Sequence, residues 1–131
     1  MTIAVAHQVS PTSPIALQQA LTEAKLRGTD LAVFHAVESI DPDQTESYRL
    51  GISDAIQKVC AGSDVTWQLH LVVANTADLG GTLVRLADEV GAEILVIGAR
   101  RRSPVGKALL GSVTQTVILE ANVPVLVVKT S

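Results

Sequence analysis

A chain of 131 residues suits one ordinary domain, residues 1–131, and with 47 % hydrophobic residues but a single Phe, Tyr and Trp its core must be built from Val, Leu, Ile and Ala. A formal net charge of −3 argues against general affinity for nucleic acid, and the longest apolar runs are strand-sized, far below the roughly 20 residues that span a bilayer. The first residues enter an apolar strand with no basic n-region or small-residue cleavage site, so the cytoplasm is the expected location. Cys60 is the only cysteine, which excludes an intramolecular disulfide and a cysteine-ligated zinc site. It shares an apolar helical pattern with Ile52, Ile56 and Val59, and packing is its expected role.

Residues 2–8 read as a β-branched, mostly apolar strand. Ser13-Pro14 then supplies an N-cap residue followed by proline at the first helical position. Leu17, Ala20, Leu21 and Ala24 recur at helical spacing, and Gly28 stands where a helix stops. Residues 31–37 form a second strand. After Asp41-Pro42 the pattern becomes helical, with Tyr48, Ile52, Ala55, Ile56 and Val59 on one face and Gly62 at the end. Residues 65–73 make a third strand, and Leu79, Leu83, Leu86 and Val90 mark a third helix closed by Gly91. Residues 94–97 form a fourth strand without alternation, as a strand covered on both faces requires. Residues 112–121 read as the last helix and 124–128 as the last strand. The order β-α-β-α-β-α-β-α-β predicts a doubly wound, mainly parallel five-stranded sheet with four helices, and a ligand site at the carboxyl ends of the strands near a topological switch point.

The chemistry concentrates in residues 94–120. There the strand Glu93-Ile94-Leu95-Val96-Ile97-Gly98 is expected to end at glycine, and Gly111-Ser112 opens a helix after a polar loop. Glycine lets backbone approach a ligand closely, and the first turn of a helix offers unpaired N–H groups carrying partial positive charge. The amides of Ser112, Val113 and Thr114 would therefore point at a phosphate. Gly106-Lys107 invites a P-loop reading, but Arg101 and Ala108 occupy positions where that motif requires Gly and Ser or Thr. No Gly-x-Gly-x-x-Gly follows the first strand either. Ser112-Val113-Thr114-Gln115 fits a capping box, which gives the Ser112 hydroxyl a structural role at the helix start. His7, His35 and His70 fall in separate strand patterns with no spacing that suggests a metal site, and are read as core or sheet-edge residues. No Ser-His-Asp or Cys-His constellation can be assembled, so there is no candidate catalytic residue.

Over its whole length the chain resembles a single-domain universal stress protein. The family motif Gly-x2-Gly-x9-Gly-(Ser/Thr) is matched at Gly98, Gly111 and Ser112, with Arg101 in place of the second glycine. Ser10-Pro11 and Ala16-Leu17 resemble the family's opening, where Gln8 takes the place of an aspartate, and residues 122–128 resemble its last strand. The resemblance implies a Rossmann-like fold of the adenine-nucleotide alpha-hydrolase type and a stress-response role with ATP or AMP as ligand. It implies no cofactor needed for folding and no defined reaction beyond slow ATP hydrolysis. Carried over by position, Ala6, Gln8, Val37 and Ile97 would surround the nucleoside, and Gly98, Gly111, Ser112, Val113 and Thr114 would contact ribose and phosphates. A homodimer paired through Val125, Leu126, Val127 and Val128 is also implied.

Arg101 leaves two readings open. If the second glycine of the motif needs positive φ, an arginine there costs about 1–2 kcal/mol and forces a different loop, leaving a nucleotide-independent dimeric interaction module. If Arg101 turns inward, its guanidinium adds bidentate bonds to phosphate oxygens. Arg100, Arg101 and Arg102 also read as a solvated basic loop. Gln8 can still accept a hydrogen bond from a base or ribose, without the strength of a carboxylate.

Overall fold

The structure is a computed structural model that describes residues 2–7, 14–100 and 111–130. Strand β1 (Thr2–His7) leads through helix α1 (Pro14–Arg27) to β2 (Asp30–Val37), and α2 (Thr45–Cys60) connects to β3 (Trp67–Val73). Helix α3 (Thr76–Glu89) then precedes β4 (Ala92–Arg100), and α4 (Ser112–Glu120) precedes β5 (Val125–Thr130). The alternation is the one read from the apolar periodicities, with Pro14 at the first helical position. One short 3-10 helix, Pro42–Gln44, is added before α2, where the Asp41 carboxylate accepts from the Asp43 N–H at 2.9 Å.

The five strands lie in the order β3-β2-β1-β4-β5, and every pairing is parallel. From β1 the chain steps outward to β2 and β3, then returns across the sheet to β4 and β5. The switch point therefore falls between β1 and β4, and sheets of this topology hold ligands outside the carboxyl ends of the strands at that point. Gly28 and Gly91 terminate α1 and α3 with φ of 62° and 66°, a conformation glycine adopts without a Cβ penalty.

Side-chain alternation divides the core into two layers. Ile3, Val5, Leu31, Val33, Ile94 and Val96 pack against Leu17, Ala20 and Leu21 of α1 and Ile52, Ile56 and Cys60 of α2. On the opposite face Ala4, Phe34, Leu95 and Ile97 meet Leu83 and Ala87 of α3 and Val117 of α4. Cys60 is buried in the first layer, as its helical pattern implied, and burial pushes its thiol up from the ordinary value while Lys25 acts the other way. Among the described residues no helix is long and apolar enough to cross a membrane.

Candidate functional site

Two neighbouring strand ends and one helix end flank the switch point. Val5 of β1 pairs with Val96 of β4, so Ala6 and Ile97 follow side by side at the carboxyl end. Strand β4 does not stop at Gly98, contrary to the sequence reading. Gly98 pairs with Val128 and the strand continues through Ala99 to Arg100, because β5 supplies a ladder partner for each of these residues. Gly98 is thus a strand position without a side chain, two residues before the end of β4.

Helix α4 begins at Ser112, with Gly111 as its N-cap at φ −66° and ψ 160° and no side chain closing the cap. The capping-box reading is therefore corrected. Ser112 already has helical geometry and occupies the first position of the helix, whereas a capping box needs the hydroxyl one residue earlier, where a glycine stands. The Gly111 carbonyl accepts from the Gln115 N–H at 3.0 Å, the first bond of the helical ladder. The N–H groups of Ser112, Val113 and Thr114 have no acceptor within the helix and carry the positive end of its dipole. Ser112 is exposed, Val113 half-buried and Thr114 buried, so the first turn is anchored on one side and open on the other.

Of the residues singled out from the sequence, Ala6, Ile97, Gly98, Gly111, Ser112, Val113 and Thr114 belong to the β1, β4 and α4 termini that flank the switch point. Val37 is the last residue of β2, one strand further out, and its carbonyl accepts from the Ala74 N–H at 2.9 Å. Gln8 and Arg101 lie outside the described residues, as do Ser13, Gly106 and Lys107.

A contact that the sequence reading missed joins two of the histidines. Parallel register sets His7 of β1 opposite His35 of β2, and their Nδ1 atoms approach to 3.1 Å. His35 Nε2 lies 3.1 Å from the Tyr48 hydroxyl on α2. Both rings are buried on the α1 and α2 side of the sheet. Burial, followed by the charge of His35, draws the His7 pKa down to about 4, and burial likewise lowers that of His35. The signal was present in the sequence as Ala4-Val5-Ala6-His7 and Ala32-Val33-Phe34-His35, the same Ala-Val-x-His pattern in two strands. His70 instead meets Phe34 edge-on across the opposite face. Among the described residues no group of three His, Cys, Asp or Glu side chains is placed to hold a metal ion.

A parallel doubly wound five-stranded sheet with helices on both faces defines a Rossmann-like α/β protein. Within that class, the model of the Universal stress protein family matches residues 1–129, and the chain belongs to that family. It is 35% identical over 127 residues to a universal stress protein of Mycolicibacterium smegmatis, covering 97% of this chain and 96% of that one. The universal stress protein from Archaeoglobus fulgidus in complex with dAMP superposes with a TM-score of 0.74 at 27% identity, covering 100% of this chain and 98% of that chain. A universal stress protein in complex with cAMP gives 0.77 at 29% identity with the same coverage.

Proposed function

We propose that residues 1–131 act as one cytoplasmic domain that binds an adenine nucleotide, ATP or AMP, at the switch point between β1 and β4 and acts in the stress response through a homodimer or a further partner. The observation that carries this reading is the open first turn of α4. Three backbone amides there, at Ser112, Val113 and Thr114, stand without helical acceptors beside the carboxyl ends of a parallel sheet, which suits a phosphate chain. Ala6, Gln8, Val37 and Ile97 would then flank the nucleoside, with Gly98 beside the ribose, and Arg101 adds a cation to the phosphates. Adenine nucleotides bound to two structural relatives support the ligand class. The lone buried thiol of Cys60 suits a reducing compartment.

Calorimetric titration with ATP and AMP tests the reading, with Ser112→Asp as the informative variant. A carboxylate in the first turn favours the helix by about 0.3–1 kcal/mol, yet repels a phosphate at the same place. The wild type is expected to give saturable heat and thermal stabilisation, and Ser112→Asp to keep its fold while losing tenfold or more in ATP affinity. Absence of heat and stabilisation at millimolar ligand would sink the proposal. A second reading, a nucleotide-independent dimeric module, is favoured by the departures at Gln8 and Arg101 from the family motif. Protein that purifies with bound nucleotide rules it out.

A further inference from the structure

Tyr48 is one of six residues, with Ser39, Ile40, Asp41, Gln44 and Ser47, that line a cavity of about 500 Å³. The cavity opens two residues beyond Val37, at the carboxyl end of β2, on the same rim of the sheet as the switch point between β1 and β4. Its size suits a small organic group. Asp41 is the one charged residue of its lining, which disfavours the phosphate end of a nucleotide. An uncharged nucleobase with hydrogen-bonding edges is compatible with the Ser, Gln and Tyr groups that remain.

Behind Tyr48 the hydrogen bonds form a continuous line. The phenol meets His35 Nε2 at 3.1 Å, and His35 Nδ1 meets His7 Nδ1 at 3.1 Å. The two imidazole centroids are 5.2 Å apart with planes at 50°, close to a head-to-head contact between ring nitrogens. Two nitrogens can share such a contact only if one carries the proton and the other does not. The line therefore has two polarities. In one, the Tyr48 O–H donates to His35 Nε2, His35 Nδ1–H donates to His7 Nδ1, and the phenol oxygen is left as an acceptor. In the other, His7 Nδ1–H donates to His35 Nδ1, His35 Nε2–H donates to the phenol oxygen, and the Tyr48 O–H is released as a donor. No proton is gained or lost between the two, and the lowered pKa values keep both rings neutral near pH 7.

We infer that Tyr48 is a specificity-determining residue that reads the 6-position of a purine in this cavity, and that His35 and His7 let it read either hydrogen-bond polarity. The inference rests on the nucleotide reading above and extends it to the base end. AMP presents an amino donor at the purine 6-position and IMP presents a carbonyl acceptor. With AMP the phenol oxygen accepts, so His35 carries its proton on Nδ1 and His7 on Nε2. With IMP the phenol donates, so His35 carries its proton on Nε2 and His7 on Nδ1.

The test is a pair of nitrogen-15 NMR spectra of the full chain saturated with AMP and with IMP, together with titrations of Tyr48→Phe. The expected result is opposite protonated nitrogens on His35 in the two complexes. Loss of the hydroxyl should weaken AMP and IMP binding about threefold to tenfold while leaving inorganic pyrophosphate, which reads only the phosphate end, unchanged. The same tautomers in both complexes, or an unaltered affinity of Tyr48→Phe for both nucleotides, overturns the inference alone. Failure of both nucleotides to bind the wild type overturns it together with the functional reading.

Discussion

Buried imidazoles set a cost that depends on pH. His7 is 6% exposed and its ring contacts the equally buried His35, so the folded protein resists charging it until the pH reaches about 4. In the unfolded chain the same ring takes up a proton as the pH falls through its ordinary value of 6.5. Between 6.5 and about 4 the unfolded state therefore binds more protons, and stability declines as the pH drops through that window. The full loss is about 3 kcal/mol, and above 6.5 this contribution stays constant. Urea unfolding at pH 7.5, 5.5 and 4.5 should show the midpoint falling in steps that are smaller in His7→Gln, whose amide keeps a bond to His35 without titrating. Equal pH slopes in the two proteins would show that His7 is not the group responsible.

At the level of elements, the contact between α3 and α4 depends on one of two adjacent glycines. A Cβ built on Gly80 would lie 2.6 Å from Thr116 Cβ and 2.7 Å from its Cγ2, whereas one on Gly81 meets nothing within 4 Å. Gly80→Ala should therefore cost about 1–3 kcal/mol, as the helices are forced apart. Gly81→Ala should gain about 0.5–1 kcal/mol from helix propensity alone. Opposite shifts of the urea midpoint are the expected outcome, and a stabilised Gly80→Ala would show that α4 has room to move. The sequence makes these two glycines look alike. Its apolar stripe of Leu79, Leu83, Leu86 and Val90 locates α3 correctly, yet the fully buried face is Gly80, Leu83 and Ala87, because small residues admit the neighbouring helix. Similar reasoning explains the rest of what was and was not legible. Periodicity and the stops at Gly28 and Gly91 reveal the elements, since those signals are local. The continuation of β4 past Gly98 depends on the β5 ladder, and the contact of His7 with His35 depends on parallel register, both of which arise only when distant strands pair. At α4 the pattern Ser-x-x-Gln was legible but displaced by one residue, because Gly111 already provides the extended N-cap backbone.

The whole molecule has two sheet edges, both with partly uncovered apolar side chains, and they differ in the helix that lies beside them. Strand β3 forms one edge and carries exposed Gln68 and Val73, with Trp67, Leu69, His70, Leu71 and Val72 half-buried. Strand β5 forms the other with Val125, Leu126, Val127 and Val128, all only half-buried. The preceding helix α4 adds Ile118 at 41% and Leu119 at 81% exposure. An apolar edge strand of this kind invites pairing with another chain, and an isologous two-fold contact covers both copies at once. The proposed homodimer is therefore placed at β5 and the C-terminal half of α4, where a stable contact needs about 800 Å² from each partner. Light scattering coupled to gel filtration should give twice the chain mass for the wild type. Leu119→Asp, which alters a side chain that the fold itself scarcely uses, should give the single-chain mass with an unchanged far-ultraviolet circular dichroism spectrum. A monomeric wild type refutes the dimer, and a Leu119→Asp protein that remains dimeric moves the interface away from α4. If the monomeric variant still binds ATP with wild-type affinity, the nucleotide site is complete within one chain. Coupling between ligand and partner must then pass through α4, whose first turn would hold the phosphates and whose last turn would meet the second subunit.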